Sequence, residues 1–213
     1  MKKRFVSVLI AVLLLSSCIG VTADIVLRAN GSGSIALEYR VSRMLEELGK
    51  MDGNKSWPII PTGRADIERT VKRIEGLTLR SFSVKEGPQD LIYTMQLDFA
   101  NLEALIHFLD ATGNHATLTR DGAKTMLSLT LTGSVASVDP DLLTLFTMMS
   151  APYSIALSFS APTDASLSLS SAKGAPLDLS GATVVSRGKK VSFAAPISTL
   201  LNVKDGAAVN ITW

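Results

Sequence analysis

Between Ile35 and Val41 every second residue is large and apolar, namely Ile35, Leu37, Tyr39 and Val41. That is the period of a strand with one buried face. An earlier run, Ile25 to Ala29, has the same character, and Asn30-Gly31-Ser32-Gly33-Ser34 between them reads as the turn of a hairpin. The clearest strand is Leu91 to Phe99: Leu91, Tyr93, Met95, Leu97 and Phe99 share one face, and Thr94, Gln96 and Asp98 the other. It pairs in sequence with Leu77 to Val84 across Lys85-Glu86-Gly87-Pro88-Gln89. Ala116 to Arg120 and Thr125 to Thr132 form a further hairpin over Asp121-Gly122. After that come strands at Ser154 to Ala161, Ser166 to Ser170, Ala182 to Ser186, Lys190 to Ala194 and Ala208 to Trp213.

The helical period appears in three longer places. Arg64 to Glu75 carries the stripe Ile67, Val71 and Ile74, with Gly76 as its stop. Asn101 caps a segment in which Leu102, Leu105, Ile106 and Leu109 recur at spacings of three and four. Asp139-Pro140-Asp141 starts a helix to Ser150, with a capping acid, proline at the first position and an acid in the first turn. Ile197 to Leu201 reads as one helical turn, and Ser42 caps a short helix with Met44, Leu45 and Leu48 apolar. Residues 50–63 hold no period and read as a loop.

Strand, helix, strand, strand, helix, strand up to residue 133 predicts an α+β fold: antiparallel β-sheets with three to four helices packed on one face. No period recurs that would make a repeat array. The expected organisation is one domain over residues 18–213, with a division into two subdomains near 134–152 as the alternative within it.

The first residues belong to neither pattern. Met1-Lys2-Lys3-Arg4 precedes an apolar run from Phe5 to Leu15, which is the form of an export signal and too short for a stable spanning helix. Leu15-Ser16-Ser17-Cys18 then resembles the bacterial lipobox, after which the chain is cut before Cys18 and the thiol acylated. Val21-Thr22-Ala23 offers a competing site of the ordinary secretory type, which would release a chain starting at Asp24. The lipobox is preferred because Cys18 is the only cysteine and stands directly behind the apolar run. Either route leaves a domain without an internal disulfide. With Ile25 as the first strand residue, Ile19 to Ala23 would be a short tether, holding the domain within about 20 Å of the bilayer.

Charge changes the picture only once the signal is set aside. Losing Lys2, Lys3 and Arg4 takes the formal net charge from +2 to −1. A near-neutral domain does not have the basic surface that nucleic-acid binding needs. Few aromatic residues and many small ones fit sheets with one buried and one small, polar face.

The order of lipobox cysteine, Asp24-Ile25-Val26-Leu27, the Asn30 to Ser34 turn and an alternating strand resembles the LppM-type bacterial lipoproteins. The helix, hairpin and helix of residues 64–110 and the ending from Gly188-Lys189-Lys190 to Trp213 are similar too. The resemblance implies a lipid-anchored α+β domain without established enzymatic activity, with lipid or glycolipid binding proposed for mycobacterial members. Those members carry a transmembrane helix near the C-terminus. This chain shows none there, so attachment is expected to rest on Cys18. Ile19 after the cysteine permits sorting to an outer membrane where there is one.

Candidate chemistry is sparse. Glu103, His107 and Asp110 are expected on the polar side of one helix, where a solvated face explains them better than a metal or acid-base site. No G-x-S-x-G accompanies the many serines, and Gly31-Ser32-Gly33 is too short for a phosphate cradle. No cofactor is expected. Arg64, Arg69, Lys72 and Arg73, with Arg80 beyond them, form the densest basic stretch and are the candidates for a lipid headgroup. Glu68 partly offsets them. Leu142, Leu145, Phe146 and Met149 are the candidates for an apolar pocket; the same helix can instead face the core or lie in a membrane interface. Trp57-Pro58-Ile59-Ile60-Pro61 is apolar enough for a lid. The expected function is a non-enzymatic binding module, for lipid or glycolipid in a cavity between helices and sheet. The alternative is recruitment of an envelope protein, with the same apolar faces filling a core.

Overall fold

The alternation that marks the N-terminal hairpin starts earlier than Ile25. In the computed structural model, which describes residues 19–43, 63–110 and 115–213, strand β1 spans Ile19–Leu27 and pairs antiparallel with β2, Gly33–Ser42. Ile19, Val21, Ala23, Ile25 and Leu27 continue one face, so the expected tether from Ile19 to Ala23 is strand. The turn between them closes with Arg28 N–H donating to Ser32 O at 2.8 Å and Ser32 N–H donating to Asn30 Oδ1 at 3.1 Å.

The remaining elements follow the sequence pattern closely. They are α1 (Arg64–Lys72), β3 (Leu77–Glu86), β4 (Asp90–Phe99), α2 (Leu102–Leu109), β5 (Ala116–Asp121), β6 (Lys124–Thr132) and α3 (Pro140–Ser150). Then come β7 (Ser154–Ser160), β8 (Ser166–Ser171), β9 (Thr183–Arg187), β10 (Lys190–Pro196), α4 (Ile197–Leu201) and β11 (Ala207–Thr212). Caps act as anticipated: Asn101 Oδ1 accepts from Ala104 N–H at 2.8 Å, and Asp139 Oδ1 accepts from Asp141 N–H at 2.9 Å. Helix α1 ends at Lys72, short of Glu75, and Gly76 turns the chain at φ 80°. The short helix after Ser42, the loop with Trp57 to Pro61 and most of residues 50–63 lie outside the described residues.

Strands collect in two sheets, one of order β3-β4-β2-β1-β7-β10-β9 and one of order β5-β6-β11-β8. The fold is mixed α+β and mostly sheet, with four helices among the described residues. The pairing is not wholly antiparallel, because β1 and β7 run parallel from Val21↔Ile155 to Val26↔Ser160. Residues 134–152 do not separate two sets of strands. After them β7, β10 and β9 extend the large sheet, while β8 and β11 extend the small one.

The sheets share one core. Ile25, Ile35, Leu97 and Phe159 from the large sheet and Leu127, Val209 and Ile211 from the small one are fully or almost fully buried in a single cluster. Ile67 and Val71 of α1 and Ala104 and Leu105 of α2 join it. Tyr39 stacks on Tyr93 at 4.7 Å between ring centroids, and Phe159 meets Trp213 at 5.1 Å. Gly33 is needed by close approach: a Cβ there would overlap Val26 O and the Phe99 ring.

A second apolar cluster of Phe146, Tyr153, Ile197 and Leu201 lies beside the first, with Leu142 and Leu143 packed on it. It holds α3 against α4, while Leu200 of α4 enters the main core.

Candidate functional site

The end of the large sheet at which β1 begins gathers the side chains of chemical interest. Ile19 pairs with Val41, Val41 with Leu91, and Leu91 with Glu86, so the four strands β1, β2, β4 and β3 all present that end together. Tyr153 stands just before β7. Its ring lies over Gly20, where an added Cβ would sit 3.5 Å from Tyr153 Cδ1 and 3.4 Å from Ser154 O. The Tyr153 hydroxyl donates to Asp90 Oδ1 at 2.8 Å, and Arg40 Nη2 donates to Asp90 Oδ2 at 2.6 Å. Asp90 is thereby buried as a doubly held carboxylate. Arg43 closes the neighbouring turn, donating from Nε to Gly87 O at 2.8 Å and from Nη2 to Glu86 Oε2 at 3.0 Å. Tyr153 O accepts from Ile197 N–H at 3.0 Å, which fixes α4 to the same end.

Helix α3 runs into this end through Ser150 O, which accepts from Tyr153 N–H at 2.9 Å. Of the four residues expected to form an apolar pocket, the structure unites three with cores and turns one away. Phe146 is buried in the second cluster with Leu142 against it, and Met149 packs on the main core. Leu145 is 48% exposed on the outer face, next to Met148 at 71%. These four residues therefore do not line one pocket.

The basic candidates divide in the same way. Arg64 pairs with Glu68 at 2.8 Å and Arg69 with Asp66 at 3.3 Å along α1. Lys72 and Arg73 are exposed and make no ion pair with another described residue. They lead within a turn to Leu77, which pairs with Phe99 at the opposite end of the sheet. The eight steps of β1 set that end about 26 Å from Ile19. Arg80 sits in the bulge between Leu79 and Ser81 and pairs with Asp98. There the outer sheet face has an open concavity of about 350 Å³, lined by Ser34, Ala36, Arg80, Gln96 and Asp98.

The histidine constellation does not assemble. His107 Nε2 is 3.8 Å from Glu103 Oε1 on the exposed side of α2. Asp110 turns inward, buried, and accepts from His115 N–H and from Ala116 N–H, the latter at 2.8 Å, so it starts β5. Among the described residues no group of three His, Cys, Asp or Glu is placed to hold a metal, and no helix is long and apolar enough to cross a membrane.

Sequence reasoning missed the Asp90 site. Asp90 opens the strand that Leu91 was expected to open, and Tyr153, after Ala151-Pro152, stands 63 residues away from it in the chain. The only local signal was an acid placed against an apolar run. Burial, and Tyr93 beside it, push the Tyr39 phenol far above its ordinary value.

No family model matches the chain, and neither a curated protein nor a solved structure is significantly similar to it.

Proposed function

We propose that this chain is an exported lipoprotein of a bacterial cell envelope, held to a membrane through an acylated Cys18. Its domain would be a non-enzymatic binding module working at that surface, in line with the resemblance to the LppM-type lipoproteins. The supporting observation is the place of β1, which holds Ile19 to Ala23 as strand and is the middle strand of the seven. Cleavage before Cys18 leaves β1 whole. Cleavage after Ala23 removes the pairs from Ile19↔Val41 to Ala23↔Leu37 and from Val21↔Ile155 to Ala23↔Leu157. Backbone groups of β2 and β7 would lose their partners in the centre of the sheet, and Tyr39 and Val41 would lose cover.

Lipid or glycolipid remains the ligand class of this reading, with its contact on the outside of the domain. The apolar strand face that a cavity between helices and sheet would use as its wall is packed: Leu91, Tyr93, Met95, Leu97 and Phe99 are all buried in the core. That same packing favours a second reading, recruitment of an envelope protein at a sheet edge. Strands β3, β9, β5 and β8 are the edges, and β9 exposes Val184. In either case the helices are read as lying on the apolar side of the sheets. That leaves Thr22, Glu38, Thr94 and Gln96 on the open face.

The test is intact-mass analysis of the full chain recovered from bacterial membranes, followed by native mass spectrometry. A mature N-terminus at Cys18 carrying acyl chains is expected. An unmodified chain starting at Asp24 overturns the reading. Co-purified lipid at fixed stoichiometry supports lipid as ligand, and a lipid-free domain crosslinked to one envelope protein supports the second reading.

A further inference from the structure

We infer that the outer face of α3 is the surface on which the domain rests against the bilayer, with Leu145 and Met148 entering the boundary between headgroups and acyl chains. The inference rests on the acylation of Cys18 proposed above, and it adds an orientation that the anchor alone does not impose.

Three observations carry it. Leu145 and Met148 are the two most exposed of the large apolar side chains among the described residues, at 48% and 71%. Spaced i and i+3, they lie on one face of the helix. Around them the chain is uncharged: no Asp, Glu, Lys or Arg occurs between Asp141 and Asp164. The hydroxyls of Thr144 and Thr147 donate to Pro140 O and Leu143 O within the helix. A face with exposed carbons and internally satisfied hydroxyls costs little to remove from water.

Position selects the occupant. Helix α3 leads through Tyr153, whose ring lies on Gly20, to the end of the sheet where β1 starts. Only Ile19 separates Gly20 from Cys18, and the two steps reach about 7 Å in extended chain. The acyl chains would thus enter the bilayer beside α3. Of the exposed basic residues, Lys72 and Arg73 near Leu77, and Arg187, whose partner Lys190 pairs with Ser160, stand at the opposite end, while Arg40, held by Asp90, and Lys85 stand at the end where β1 starts. Interfacial helices that bind unaided show a basic polar face. α3 has none, and it needs none when covalent lipid supplies the affinity and two side chains supply the tilt.

The experiment uses the acylated full-length protein, in which Cys18 is blocked by its own lipid. Met148→Cys and Leu145→Cys are labelled with an environment-sensitive fluorophore, and Arg187→Cys serves as the distal control. Each is reconstituted into phosphatidylethanolamine–phosphatidylglycerol vesicles with and without doxyl-labelled phosphatidylcholine. Blue-shifted emission and several-fold stronger lipid quenching at positions 145 and 148 than at 187 are expected. Acylated protein with no lipid quenching at 145 or 148 overturns the inference and leaves the anchor standing. Shielding of these positions from aqueous iodide without lipid quenching also overturns it, in favour of a protein on this face. An unacylated Cys18 overturns the anchor and the inference together.

Discussion

Tyr153 donates to Asp90 at 2.8 Å, joining the residue before β7 to the first residue of β4 across the ends of β1 and β2. The bond ties the end of α3 to the large sheet. It also keeps the Tyr153 ring against Gly20, beside the proposed anchor.

Tyr153→Phe removes the hydroxyl and keeps the ring. A hydrogen bond to a buried charged group is worth about 1.5–3 kcal/mol, so urea unfolding is expected to show a loss of about that size. Gly20→Leu is expected to lose stability as well by displacing the ring. A variant of either kind as stable as the parent would mean that the bond contributes nothing to holding α3.

A chain starting at Ile19 and a chain starting at Asp24 distinguish the two cleavage sites without any membrane. The first is expected to unfold cooperatively. The second, deprived of more than half of the central strand, is expected to lose its sharp transition and to be cut rapidly by protease. Equal protease resistance would remove the support that β1 lends to the lipobox.

Gly33→Ala places a Cβ against Val26 O and the Phe99 ring. Overpacking of this kind costs about 1–3 kcal/mol, read as a lower midpoint in urea at unchanged slope. Ser34→Ala, one residue away on the open face, is the matched control and is expected to stay near the parent.

Alkaline unfolding reports on Tyr39. Its phenol is raised in the folded state, while the unfolded chain releases the proton near pH 10. Its contribution is therefore fully present below pH 10. Above that the unfolded state binds fewer protons, and stability falls by up to about 1.4 kcal/mol per pH unit. Tyr39→Phe is expected to flatten this limb in pH-dependent urea titrations, and an unchanged limb would assign it to other groups.

Lys72→Glu with Arg73→Glu is expected to leave association of the acylated protein with anionic vesicles unchanged, because both residues stand at the sheet end away from Ile19. A marked drop in flotation with the vesicles would restore α1 as a headgroup site.

Period and punctuation made most of the elements readable. The alternation from Leu91 to Phe99, the caps at Asn101 and Asp139 and the turns at Asn30 and Gly122 act locally, and a local interaction is written in neighbouring residues. The misreading of Ile19 to Ala23 was of another kind. Their alternation was visible, but a stretch following a signal sequence reads as a linker until β2 and β7 are seen on both sides of it.

Partnership across distance was not legible. Nothing near Asp90 in the chain announces Tyr153 or Arg40, and the parallel pairing of β1 with β7 joins residues separated by more than half the sequence. The helix at Leu142 to Met149 shows the division most clearly. Its period and its cap at Asp139 were sufficient to make it a helix. Which side met the core depended on where Tyr153, Ile197 and Leu201 came to rest, because helical spacing orders a face without naming what covers it. Packing buried Phe146 and left Leu145 and Met148 in the open.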